Sequence, residues 1–225
     1  MGANEDGIRW LRKSFGKQID DAVKGTPFTS NLVIAIALQE TGFIWKPHSK
    51  KKTPEEVLAL CVGDTLDAPK RKAFPKTRAL LEAKPNGKKM FEVAREALVN
   101  LGSINNTYKK IAEKNPDKFC HGFGMFQYDL QFFDGVDPDY FLEKKWATIE
   151  GTVGHCLKEL KDKIVRVYGE DKKTLTHDES VYVAIAYNKG SADTSKGFKQ
   201  GHKDDAGVFY GEHIDRFLKL ANATA

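Results

Sequence analysis

The stretch "AIALQETGFIW", residues 35–45, is an apolar run broken by a single acid, Glu40. Val33, Ile36, Ala37 and Glu40 follow the i, i+3, i+4, i+7 spacing of one helix face. The reading is a helix that opens on a Thr29 or Ser30 cap and stops at Gly42. This puts a carboxylate on the face that packs inward, at the last turn. Burial there penalises the charged form, and the negative end of the helix dipole pushes the same way. A carboxyl that keeps its proton near neutral pH is what a general acid requires. The plain alternative is a half-buried Glu paired with one of the chain's many lysines.

Working outward, helical periodicity dominates. Ile8, Leu11, Phe15 and Ile19 form a stripe on a first helix over residues 5–22. Thr53, Pro54 and Glu56 read as a cap, a first-position proline and a capping box. A short helix then runs to Cys61. The stretch "GDTLDAPKRKAFPK", residues 63–76, reads as irregular and basic. Met90, Ala94, Leu98 and Leu101 share a face over 87–101, and a shorter helix covers 104–114. The longest helix is expected over 147–168, with Ile149, Val153, Cys156, Leu157, Leu160, Ile164 and Val167 as a stripe fit for a central position. Val181, Ala184 and Ile185 face inward on the next helix, and a last one covers 208–221. No alternating pattern is longer than a few residues, so any sheet is very small. The expected fold is mainly α with one helical core, a single domain over 1–225 that carries residues 46–114 as a helical insertion.

With 40% hydrophobic and 30% charged residues the chain is of globular composition. No apolar run is long enough to cross a bilayer. The net charge of +5 suits an anionic polymer such as cell wall, or simply a mildly basic surface. The charge is diffuse and no recognition module appears, which disfavours nucleic acid as a partner. Cys61, Cys120 and Cys156 are too far apart for a metal knuckle, allow at most one disulfide, and read best as buried thiols. No motif implies a metal or an organic cofactor.

Three short motifs occur in order: Glu40-Thr41-Gly42; "GFGMFQYD" at 122–129, containing Gly124-Met125-Phe126-Gln127; and Ala186-Tyr187-Asn188-Lys189-Gly190. Together they resemble the motifs of the soluble lytic transglycosylase and goose-type lysozyme families, over residues 28–45 and 117–221. Thr41 stands where those families usually have Ser. The roughly 80 residues between Glu40 and Gly122 are far more than relatives carry. The resemblance implies a lysozyme-like fold and cleavage of β-1,4 links in an N-acetylated amino-sugar polymer, peptidoglycan first and chitin second. Glu40 is then the general acid. The Gly122-Phe123-Gly124 turn lets backbone approach a sugar, and Gln127 offers a donor and an acceptor. Tyr187 is implied to hydrogen-bond near the acid, with Asn188 supporting the site. Thr41 and His121 complete the expected substrate contacts, while Trp45 and Phe123 are either sugar platforms or core.

Asp129 matches an acid of goose-type lysozymes, and Asp117 is the nearest candidate for a second one. Such acids hold a water for hydrolysis with inversion, and Asp129 tilts the expectation to hydrolysis; the alternative for Asp129 is a helix cap. Lytic transglycosylases lack the pair and use the sugar's own C6 hydroxyl, giving 1,6-anhydro products. A glycan-binding protein without turnover is the remaining alternative. The site of action expected for such a substrate is extracellular or periplasmic, although the polar, acidic N-terminus has no basic start or apolar stretch of a secretory signal.

Overall fold

The computed structural model describes residues 2–64 and 74–224, so part of the 63–76 stretch and of the expected 46–114 insertion lies outside the described residues. The chain is mainly helical with one small three-stranded antiparallel sheet. Where the sequence suggested one core, the chain packs as two compact units, Met1–Lys46 with Val153–Ala225, and Pro47–Thr152.

The first unit is built on α1 (Ala3–Val23) and α2 (Ser30–Trp45). With them are the part of α8 (Ile149–Tyr168) from Val153 onward, α9 (His177–Lys189) and α10 (Tyr210–Ala223). Ile8, Leu11, Phe15 and Ile19 are buried along α1 as their spacing requires. Thr29 caps α2 by accepting the Leu32 N–H. From Leu32 to Leu38 every residue of α2 is buried, because this run has no polar position with which to face water. A helix that is apolar all round belongs inside a core, and α1 and α10 both pack on it. The helical run buried on all sides is thus Leu32–Leu38 of α2. α8 keeps an ordinary amphipathic stripe, with Val153, Cys156, Leu157, Leu160 and Ile164 buried.

Gly42 does not end α2. The Lys46 N–H donates to its carbonyl at 3.2 Å, and the helix runs on to Trp45 because Ile44 and Trp45 both gain by burial. Trp45 stacks on Trp10, and its ring N–H donates to the Ala37 carbonyl at 3.3 Å. It is a core residue, not a sugar platform.

The second unit opens on α3 (Pro54–Ala59), where Thr53 and Glu56 form the expected capping box. It continues through α4 (Arg78–Glu82), α5 (Gly87–Gly102), α6 (Asn106–Lys114) and α7 (Pro138–Leu142). Met90, Ala94, Leu98 and Leu101 are buried on α5. The helices α4 and α7 escape a periodicity reading because five residues hold little more than one turn. Their local signals are the caps Thr77 and Asp137 and, for α7, Pro138 at the first helical position. The sheet is β1 (Val62–Gly63), β2 (Gly122–Phe123) and β3 (Tyr128–Asp129), with Val62 opposite Phe123 and Gly122 opposite Asp129. Phe123 and Tyr128 of the sheet pack edge to face and stacked with Tyr140, Phe141 and Trp146.

Candidate active site

The acid singled out by the sequence lies in the first unit, 2.7 Å from a hydroxyl no sequence pattern had marked. Tyr210 Oη donates to Glu40 Oε1. Tyr210 is the first residue of α10 and is buried; Glu40 is half-buried, with its carboxyl withdrawn from water. Burial pushes the Glu40 carboxyl from 4.5 up to about 7, and the Tyr210 bond, which favours the carboxylate, offsets this only in part. No lysine or arginine among the described residues contributes to that balance. The lysine-paired alternative is therefore not what the structure contains: the partner is a neutral donor. Burial likewise holds the Tyr210 proton tightly, and the carboxylate beside it adds to the effect. The Cys156 thiol, buried on α8, is pushed up by burial and by the same carboxylate.

Tyr187 and Asn188 sit at the end of α9, in the same unit. Tyr187 is half-buried and near enough for its charge to raise Tyr210 further, but the hydroxyl on Glu40 is that of Tyr210. Asn188 is exposed, and its Oδ1 accepts the His202 N–H at 2.9 Å. Thr41 is fully buried, facing the core side of α2. Phe43, one turn after Glu40, is 61% exposed. It is the most exposed large apolar side chain among the described residues, and the apolar pattern of α2 hides it by predicting burial.

The remaining expected residues belong to the second unit. Gly124 has φ +80°, and a Cβ there would lie 2.6 Å from both Thr152 Oγ1 and Tyr140 Oη. At Gly122 the space is taken by the Gln127 side chain. Both glycines make room for the protein's own side chains, which accounts for them without a sugar. Gln127, itself at φ +54°, donates to the Gly124 carbonyl at 3.1 Å and so pins the β2–β3 turn. Phe123 is fully buried and is core. His121 is 2% exposed, stacks on Phe119, and has Nε2 2.6 Å from the Pro75 carbonyl. Burial holds it below the ordinary histidine range, and the ring expected among the substrate contacts is enclosed in the second unit.

Asp129 caps the 3-10 turn Leu130–Phe132, accepting the Gln131 N–H at 2.8 Å. Asp117 is exposed and paired with Arg78 at 3.2 Å. The three cysteines are buried free thiols. Among the described residues no group of three or more His, Cys, Asp or Glu is placed to hold a metal ion, and no helix is long and apolar enough to cross a membrane.

Compared with protein-family models, with curated proteins and with solved structures, the chain matches none.

Proposed function

We propose that this chain cleaves β-1,4 links in an N-acetylated amino-sugar polymer, peptidoglycan ahead of chitin, with Glu40 as the general acid. The observation that carries the reading is the desolvated Glu40 carboxyl, raised to about 7 and held by the neutral Tyr210 hydroxyl rather than by a cation. Such a group is protonated often enough to give its proton and acidic enough to release it. Glu40 protonates the glycosidic oxygen as the C1–O bond breaks, and its electron pair stays on that oxygen. The sugar left behind carries oxocarbenium character at C1. Phe43 offers an apolar face for a sugar ring one helical turn from the acid.

Two routes complete the reaction. A water can add at C1 and give its proton to a carboxylate, which yields an ordinary reducing end. Alternatively the sugar's C6 hydroxyl adds at C1 and returns its proton to Glu40, which yields a 1,6-anhydro end. The cap made by Asp129 and the ion pair made by Asp117 favour the second route, since both acids have structural partners.

Incubation with purified peptidoglycan and with chitin oligomers, followed by mass analysis, tests the proposal. Soluble fragments from wild type and none from Glu40→Gln are expected. Equal release by the two proteins, or release by neither, sinks it.

A further inference from the structure

Tyr210 reaches Glu40 only while the first turn of α10 stays in place, and that turn is held by the loop joining α9 to α10. The Tyr210 N–H donates to the His202 carbonyl at 2.7 Å, and the Gly211 N–H to the Gln200 carbonyl at 3.1 Å. The residue before the helix is Phe209, whose side chain has no acceptor for the open N–H groups of a helix start. Loop carbonyls do that work instead.

The loop in turn is shaped by two side chains. Gln200 is buried. Its amide donates to the carbonyls of Asp193 and Gly197, both at 2.7 Å, and its Oε1 accepts the Asp193 N–H at 3.0 Å. Only an uncharged amide of this length supplies those donors and that acceptor together. Asn188, from the end of α9, accepts the His202 N–H through Oδ1.

The packing around these bonds has no slack. Gly201 lies at φ +86°, where a Cβ would come within 2.7 Å of Tyr210 Cβ and 2.9 Å of Asn188 Oδ1. Gly211 likewise has the Phe198 carbonyl and the Ile185 side chain where a Cβ would stand. A shift of the loop therefore carries Tyr210 with it.

We infer that Gln200 and Asn188 are positioning residues of the acid site: they hold the 193–202 loop in the shape that seats the Tyr210 hydroxyl on Glu40. The inference rests on the reading of Glu40 as the working acid. Both side chains act through backbone, Asn188 by fixing His202 and Gln200 by folding the segment whose carbonyl takes the Gly211 N–H. The exposed Asn188 is thus a brace rather than a sugar contact.

The test is a carbon-13 NMR titration of the Glu40 carboxyl, which needs no glycan. Wild type is compared with Tyr210→Phe, Asn188→Ala and Gln200→Ala, and with each of the last two combined with Tyr210→Phe. Loss of the tyrosine hydroxyl should move the Glu40 midpoint upward by about one pH unit, the effect of one hydrogen bond to a carboxylate. Asn188→Ala and Gln200→Ala should each give part of that shift, and none beyond it in the Tyr210→Phe background. A folded Asn188→Ala protein with a wild-type midpoint overturns the inference. So does a shift that persists undiminished once the hydroxyl is gone. If Gln200→Ala does not fold, Asn188→Ala decides alone, since its side chain is exposed. The expected midpoint shifts with no glycan cleavage by wild type would refute the proposed activity and leave the brace standing.

Discussion

The Tyr210 hydroxyl and the Glu40 carboxylate meet at 2.7 Å across 170 residues of sequence, and among the described residues this contact is the one side-chain hydrogen bond weighing on the acid's proton affinity. Glu40→Gln removes the transferable proton while keeping the shape and an acceptor for Tyr210. Turnover on glycan should fall by about two to four orders of magnitude, the usual contribution of a general acid. Initial rates on peptidoglycan check it; near wild-type turnover would refute the mechanism.

The same substitution should stabilise the protein at alkaline pH. A Glu at about 7 in the folded state and near 4.5 when unfolded binds more protons folded than unfolded between those values. Its contribution to stability is full below pH 4.5, falls as pH rises through 7, and is lost above. The 4.5-to-7 change corresponds to about 3 kcal/mol. Glu40→Gln should therefore gain stability over wild type at pH 8 and little at pH 4.5, as read by denaturant melts at both pH values.

Tyr210→Phe should move the alkaline limb of the pH–rate profile to higher pH. The lost bond favoured the carboxylate, so the acid without it keeps its proton longer. An unmoved or lowered limb would show that the bond does not govern the working acid.

Phe43→Ala should raise KM about tenfold with a smaller change in kcat, because the exposed ring is expected to lie against a sugar and not at the breaking bond. Its melting temperature should stay close to that of wild type, since little of the ring is buried in the fold. A large loss of stability with an unchanged KM would return Phe43 to a packing role.

Asp129 distinguishes cap from catalyst. As a cap it should cost about 1 kcal/mol on change to Ala and far less on change to Asn, measured by denaturant unfolding. An Asp129→Asn protein of normal stability whose turnover has dropped by orders of magnitude would instead make Asp129 the holder of the attacking water.

Local chemistry was enough to read the helices that carry a full stripe and a cap. α1, α5 and the capping box of α3 follow from spacing and from Thr53 and Glu56, because these signals act within a few residues. The unusual place of Glu40 on an apolar helix was legible for the same reason. Whether that acid is paired with a lysine or a hydroxyl was not. The partner comes from the first turn of α10 through a loop held by Gln200 and Asn188, and nothing near Glu40 in sequence encodes it. The glycines at 122 and 124 show the same limit. Their sequence announces close approach, but only the packing of Gln127, Thr152 and Tyr140 decides what approaches. Periodicity and capping are short-range, whereas desolvation and hydrogen-bond partnership depend on which distant segments the core brings together.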